Sequence, residues 1–325
     1  MTGVQPTMRD IREAAKRIEP WVHQTPVLTS TGLNAMCDAQ IFFKCENFQK
    51  GGAFKIRGAT NAVFSLDPEE ANKGVATHSS GNHAAAIALA AGWRNIKAYV
   101  VMPENAPEVK KNAVTGYGAE ITFCKPTLRG REEALHHVVE RTGANVIHPY
   151  NDTRVISGQG TAALELCEEI PDLDVVIAPV GGGGLLSGTA IAVSGASPHT
   201  LVFGAEPENA DDAYRSLKAG RIIPSENPHT VADGLLTSLG DLTFPIIQSF
   251  VRDIVRVSER DIVMAMRLIL ERMKIVVEPS SAVPLGALLA HRQELPGQKI
   301  GVILSGGNVD ISTLPWDKGN RTAHP

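Results

Sequence analysis

A lysine set among small and apolar residues is the first candidate for chemistry in this chain: Lys55, within Gly51-Gly-Ala-Phe-Lys-Ile-Arg-Gly58. Kept from water and near other cations, a lysine loses basicity, and a neutral amine is what attacks an aldehyde to form a Schiff base. Arg57 could supply part of that field; the plainer alternative is an exposed lysine at a helix start. A second candidate is the segment Val175 to Gly188, a buried strand running through four glycines, Gly181, Gly182, Gly183 and Gly184, into a helix. Such a loop lets several backbone N–H groups converge on a phosphate without interference from Cβ. It lacks Gly-Lys-Ser/Thr and is no Walker loop, and it breaks G-x-G-x-x-G in every register. Glu206, at the end of the next strand-like run, imitates the ribose-binding acid of a dinucleotide fold, so a nicotinamide dehydrogenase stands as the alternative on pattern alone.

Two further loops carry the same kind of signal: Ser79-Ser80-Gly81-Asn82-His83 and Ser305-Gly306-Gly307-Asn308. The first opens a helical pattern, Ala84 to Ala91, whose N-terminal amides can hold a carboxylate. The acidic run from Glu206 to Asp212 offers hard oxygen donors for a divalent cation, although acidic loops are usually only solvated. Arg131, in Leu128-Arg-Gly-Arg-Glu-Glu133, reads on its own as a surface helix arginine paired with Glu132 or Glu133.

Loops of this type need a scaffold, and the rest of the chain supplies one. After an amphipathic stretch from Arg9 to Ile18, β-rich apolar runs alternate with helical patterns, the signature of an α/β fold with mostly parallel sheet. The strand-like runs are 41–45, 74–77, 98–102, 120–123, 146–148, 175–180, 201–205 and 299–304, with Gly181 and Ser305 directly after two of them. Open parallel sheets bind ligands beyond the carboxyl ends of their strands, where these loops fall. Ser258 can cap a helix through Met273 with Ile262, Met266, Ile269 and Met273 on its core face. The length of 325 residues predicts two domains, and 43% apolar content supports a core in each. The units from Gly74 to Thr142 read as a small domain inserted into a larger one built from both chain ends. With 31 basic against 35 acidic residues the formal charge is −4, which argues against a nucleic-acid partner. No apolar run approaches the roughly 20 residues that span a bilayer. Neither a signal-like segment nor a C-x-x-C pair occurs, so four reduced cysteines and a cytoplasmic location are expected.

Taken in order and at their separations, Phe42 to Ala59, Ser79 to His83, the tetraglycine and Ser305 to Asn308 resemble the fold-type-II pyridoxal-phosphate serine/threonine dehydratase and serine racemase family, which includes 3-hydroxyaspartate ammonia-lyases. The likeness spans about Ile11 to Asp310. One departure is Ala53, where the family usually has Ser before Phe-Lys. The resemblance implies two open, twisted, mostly parallel sheets flanked by helices: a large cofactor-binding domain over 1–68 and 146–325, and a small mobile domain over 69–145 that carries the substrate-carboxylate loop.

It also assigns roles. Lys55 would hold pyridoxal 5'-phosphate and act as general base at the substrate Cα. Gly181 to Gly184 would cradle the phosphate, Ser305 would bond the pyridine nitrogen, Phe54 would lie beside the ring and Asn82 would bond its phenolic oxygen. A hydroxyl at Ser305 does not enforce ring protonation, which favours rapid β-elimination. Ser79, Ser80, Gly81, Asn82 and His83 would hold the α-carboxylate, Ser80 matches the second acid/base of racemase members, and Arg131 would meet a second carboxylate. Glu206, the Ala210 carbonyl and Asp212 would hold Mg, Mn or Ca. The reading is an ammonia-lyase (dehydratase) that turns a 3-hydroxy amino acid into a 2-oxo acid and ammonia, with 3-hydroxyaspartate favoured and L-serine and L-threonine in scope. A serine racemase using Lys55 and Ser80 is the alternative; a homodimer acting on a small molecule, with no nucleic-acid or membrane partner, is implied.

Overall fold

A computed structural model of the chain describes residues 4–106, 108–311 and 314. The first half of the chain contains α1 (Met8–Ile18), β1 (Val27–Leu28), α2 (Thr31–Cys37), β2 (Gln40–Cys45), α3 (Lys55–Phe64), α4 (Pro68–Asn72), β3 (Val75–His78) and α5 (Asn82–Arg94). There follow β4 (Ala98–Pro103), α6 (Glu108–Gly116), β5 (Glu120–Cys124), α7 (Leu128–Thr142), β6 (Asn145–Val146) and α8 (Thr153–Glu169). The remainder comprises β7 (Val175–Pro179), α9 (Gly184–Ala196), β8 (Leu201–Pro207), α10 (Asp212–Ala219), α11 (Thr243–Phe250), β9 (Asp253–Val257), α12 (Glu259–Met273), α13 (Pro279–Ala290) and β10 (Lys299–Leu304).

The strands form two sheets, as the α/β pattern predicts. A six-stranded sheet has the order β1-β2-β10-β7-β8-β9, parallel except for β1, and a four-stranded parallel sheet has the order β5-β4-β3-β6. Central strands buried on both faces need continuous apolar runs, and β7 (VVIAP) and β4 (AYVVMP) are buried throughout. Two apolar clusters cover the faces of the large sheet, one around Phe43, Ile177 and Leu285 and the other around Val176, Leu186 and Ile303.

Local chemistry starts the helices where it should. Thr7 and Asp10 form a capping box at α1, and Asp67 and Glu70 form one at α4 with Pro68 in the first turn. Ser258 Oγ accepts from the Asp261 N–H at 3.2 Å and starts α12, with Ile262, Met266 and Ile269 buried as expected. Two strands escape the sequence pattern. β1 is only two residues long, and β9 is an edge strand carrying the exposed Arg256. The run expected at 146–148 pairs only at Asn145 and Val146, because His148 Nδ1 instead accepts the backbone N–H of Tyr150 and Asn151 and turns the chain. All four cysteines are free, and among the described residues no helix is long and apolar enough to cross a membrane.

Candidate active site

The loops singled out in the sequence leave the carboxyl ends of β3, β7 and β10 and meet Lys55 at the start of α3, around one cavity of about 410 Å³. Its lining includes every residue expected to hold cofactor or substrate: Phe54, Lys55, Ser79 to His83, Arg131, Gly181 to Gly184 and Ser305.

Lys55 is positioned by a backbone zipper. The Phe54 N–H donates to Ser305 O at 3.0 Å, Ala53 bridges Gly306, and the Gly307 N–H donates to Gly52 O at 2.8 Å. Gly52 has φ +73°, and a Cβ there would lie 2.3 Å from Asn308 Oδ1, so glycine is required for this approach. Ala53, the departure from the family pattern, is buried, and a Cβ built on Gly306 would lie 2.9 Å from its methyl. The Lys55 amine donates to Pro149 O at 2.9 Å and lies 5.1 Å from the Phe54 ring centroid. Burial pushes its pKa down to about 8 against the opposing pull of Glu278, so near neutral pH a usable fraction is the nucleophilic free amine. Arg57 is not the source of that shift. Its guanidinium is 0% exposed and gripped by Glu46 at 2.7 and 2.9 Å and Glu165 at 2.6 and 2.8 Å, while Lys44 closes the network on Glu165 at 2.6 Å. The Arg57 charge is neutralised within the large-sheet scaffold, and its work is to anchor α3 behind the lysine.

The tetraglycine is shaped by its neighbours. A Cβ on Gly182 would lie 2.3 Å from the Tyr150 ring, and Gly183, at φ +88°, forms the N-cap of α9 against Thr243. Thr243 Oγ1 donates to Gly182 O at 2.9 Å and holds the turn. The result is a side-chain-free concavity at a helix N-terminus, suited to a phosphate. Beside it, the lysine amine, the Ser305 hydroxyl and the flanking Phe54 ring provide fitting partners for an aldehyde-bearing aromatic cofactor.

Ser79 to His83 divide into two roles. Ser79 Oγ accepts the Gly81 N–H at 3.3 Å, and Asn82 and His83 open α5, where backbone N–H groups lack intrahelical partners. His83 turns its ring inward: it is 2% exposed, with Nε2 3.3 Å from Ile147 O, and burial holds it neutral. Its Nδ1 is buried without a hydrogen-bond partner, so the imidazole is only half engaged. Asn82 is committed as well, its Nδ2 3.0 Å from both Glu278 oxygens and its Oδ1 accepting from Asn308 at 3.0 Å.

Arg131 lines the cavity, and its Nε is buried without a hydrogen-bond partner. The surface pairing with Glu133 does not form, because Arg129 takes that carboxylate at 2.6 Å.

Several lining residues carry no motif. Glu278 is 6% exposed, and burial raises its carboxyl to about 7 despite the Asn82 hydrogen bonds. Its only sequence signal is an acid immediately before a proline-initiated helix. Tyr150, His78 and the 233–237 turn also line the cavity, and Lys110 of α6 spans its rim to Asp233 at 2.6 Å.

Away from the cavity, Glu206 and Asp212 are buried close enough to act on one another, with the buried Ala210 in the turn between them. Glu206 is fully buried and accepts from the Ala213 and Tyr214 N–H groups at 3.0 and 2.8 Å. Burial, then the neighbouring Asp212, raise its carboxyl well above the ordinary range, and burial raises Asp212 to about 6. Both Asp212 carboxylate oxygens are buried without hydrogen-bond partners. That arrangement fits a hard cation, and Glu206, buried and held by two backbone amides, is not presented to a ligand as the dehydrogenase alternative needs. Among the described residues no group of three His, Cys, Asp or Glu side chains could hold a metal; a cation here would draw on two carboxylates and backbone carbonyls.

Comparison with known proteins agrees with this geometry. The chain matches the family described as "Pyridoxal-phosphate dependent enzyme" over residues 18–306. It is 54% identical to the β-hydroxyaspartate dehydratase of Paracoccus denitrificans, over 96% of this chain and 99% of that protein. It is 48% identical to the L-threo-3-hydroxyaspartate ammonia-lyase of Saccharomyces cerevisiae, over 95% of each. The crystal structure of serine racemase from Dictyostelium discoideum superposes with a TM-score of 0.92 at 52% identity, covering 95% of this chain and 100% of that one.

Proposed function

The chain belongs to the pyridoxal-phosphate dependent enzyme family, and from that membership we propose that it is an ammonia-lyase that dehydrates 3-hydroxy amino acids, with 3-hydroxyaspartate favoured and L-serine and L-threonine in scope. The observation that carries this reading is Arg131, a guanidinium in the wall of the cavity that holds Lys55, with an unpaired buried Nε. A second carboxylate on the substrate is the partner such a fork fits. Relatives named for hydroxyaspartate dehydration support it.

Lys55 would hold the cofactor through its amine, Gly181 to Gly184 its phosphate, Ser305 its ring nitrogen, Phe54 the side of its ring and Asn82 its phenolic oxygen, the Asn82 Nδ2 exchanging its Glu278 contact for that bond. When bound, pyridoxal phosphate supplies the electron sink that acidifies the substrate Cα–H. The chain's residues do the rest. The backbone N–H groups and hydroxyls of Ser79, Ser80, Gly81, Asn82 and His83 bind the α-carboxylate, and Arg131 binds the distal one, which fixes the Cα–H toward one face. Lys55, its pKa lowered to about 8, takes the proton from Cα as the free amine. The β-hydroxyl leaves as water, and hydrolysis of the released enamine, after tautomerisation, yields a 2-oxo acid and ammonia. Lys55→Ala should abolish turnover of 3-hydroxyaspartate, read as oxo-acid release; multiple turnovers by that variant without added amine would overturn the assignment.

Serine racemase chemistry is the second reading. Ser80 lines the same cavity as Lys55 and matches the second acid/base of racemase members, and a relative named serine racemase is 52% identical. Conversion of L-serine to D-serine, lost in Ser80→Ala with elimination spared, tests it.

Glu206, the Ala210 carbonyl and Asp212 are proposed to hold Mg, Mn or Ca as a structural or activating site; the unpaired Asp212 oxygens support this. The small unit over 69–145, which carries β3, β4, β5 and the Ser79 to His83 loop, is proposed to move against the large one over 1–68 and 146–325, with β6 (Asn145–Val146) astride the boundary; positions 1–3, 107, 312, 313 and 315–325 of these ranges lie outside the described residues. Assembly as a homodimer rests on the family resemblance, and a cytoplasmic setting on the four free cysteines.

A further inference from the structure

His78 is the last residue of β3, and its ring lines the cavity in the wall that also holds Arg131. It stands edge-on to His148, with centroids 5.8 Å apart and planes at 87°. Among the described residues no hydrogen bond engages the His78 ring, while the nearby Arg131 Nε is buried and unpaired. Arg131 thus leaves a buried donor unspent, where buried polar atoms are ordinarily satisfied, and the half-buried His78 ring beside it is free to engage a ligand.

The surroundings set the resting charge of His78. Arg131 on α7 disfavours its protonation and Glu132 on the same helix opposes that, but burial is the larger influence, and His78 sits below the ordinary imidazole range. His83 on α5 is held neutral by burial. His148, in the turn after β6, is pushed down by burial to about 4 and spends Nδ1 on two backbone amides. Lys55 and Lys110 complete the ionisable groups that line this part of the cavity on the cationic side. A carboxylate placed against Arg131 offsets the Arg131 repulsion, the smaller of the two influences against protonation, and adds an anion that favours the imidazolium against the cost of burial.

We infer that His78 and Arg131 form one anion-receiving pole, in which the His78 imidazole takes up a proton as the distal carboxylate of a dicarboxylic substrate enters. This rests on the dicarboxylate reading above and adds to it a selectivity that strengthens as pH falls. Because the bound-state pKa lies above the free-state one, affinity rises as pH drops through the bound-state value and levels off below the free-state value. A monocarboxylic substrate leaves the pole empty and lacks this linkage.

The test uses the holoenzyme and two unreactive probes without an amine, succinate and butyrate. The ten histidines are followed by NMR of their Cε1–H resonances, with that of His78 identified by its loss in His78→Gln, or in His78→Asn should the first variant not fold. Saturating succinate should raise the His78 midpoint by about one unit or more, and butyrate should leave it in place. Succinate affinity should rise by up to about tenfold per pH unit in the window between the two midpoints, and His78→Gln should flatten that dependence. If succinate binds in an Arg131-dependent way and the His78 midpoint does not move, the proton-uptake inference is wrong and the dicarboxylate reading stands. If succinate binds no better than butyrate at any pH, both fail together.

Discussion

The amine of Lys55 donates to the carbonyl oxygen of Pro149 at 2.9 Å, in a setting that lowers its pKa to about 8. The pH dependence of its reactivity follows. The free-amine fraction grows as pH rises, with a midpoint near 8 rather than at the ordinary lysine value of 10.5. The rate of cofactor capture by the cofactor-free protein should therefore climb between about pH 7 and 9 and flatten above. Stopped-flow absorbance checks this, and a rate still climbing at pH 10 would contradict it.

The Glu206 and Asp212 pair predicts a cation effect whose sign depends on pH. Both carboxyls are raised in the folded chain, so their burial favours the protonated forms. In chelator-treated protein, stability should fall as pH rises from about 4 through 6, as each group is forced to ionise. Mg²⁺, Mn²⁺ or Ca²⁺ should restore it most strongly above pH 6. Asp212→Asn should be more stable than the wild type in chelator and should no longer respond to cation. Thermal melts across pH, with and without cation, report both outcomes.

How much of this was legible in the chain depends on whether chemistry was packed into contiguous segments. Lys55, the tetraglycine, Ser79 to His83 and Ser305 declare themselves because a close backbone approach demands runs of glycine and serine at strand ends. Glu278 and Tyr150 reach the same cavity singly, from a helix cap and a turn, and leave no pattern, while His78 directly precedes the Ser79 to His83 loop without sharing its glycine and serine signal. Arg131 had two readings because the partner of a helix arginine is chosen by tertiary packing, and here Arg129 takes the competing carboxylate. Arg57 was read as a field source from its closeness to Lys55 in sequence, but α3 carries it into the Glu46 and Glu165 network. The strands β1 and β9 were missed because two residues, or an edge with an exposed arginine, carry too little pattern.

That network yields a stability prediction. Burial pushes the Glu46 carboxyl up, but Arg57 and Thr25 outweigh it and hold it below the ordinary range. Arg57→Met would leave Glu46 buried and unpaired, at a cost of about 3–5 kcal/mol. Arg57→Lys should recover only part of it, because an ammonium cannot reproduce a fork engaging both carboxylates. Denaturant unfolding of the two variants gives the comparison; equal stabilities would show that the fork geometry is unimportant.

Gly182 has no space for a side chain. Its Cβ would meet the Tyr150 ring at 2.3 Å, so Gly182→Ala should displace the loop and weaken cofactor binding by about tenfold or more, the effect of a 1.4 kcal/mol loss. Replacing Tyr150 by Ala in the same chain should recover part of that loss. Cofactor titrations followed by absorbance measure both, and undiminished affinity in Gly182→Ala would remove the tetraglycine from the phosphate site.

The central claim is that Arg131 makes this lyase selective for a dicarboxylic 3-hydroxy amino acid. The direct measurement is kcat/KM for the 3-hydroxyaspartate stereoisomers, L-serine and L-threonine, in the wild type and in Arg131→Ala. Loss of a charged hydrogen-bonding partner, worth about 1.5–3 kcal/mol, should lower kcat/KM for the preferred hydroxyaspartate by about 10- to 150-fold and leave serine within a few-fold. A wild-type enzyme that prefers serine or threonine, with Arg131→Ala unchanged in its ranking, would contradict the account.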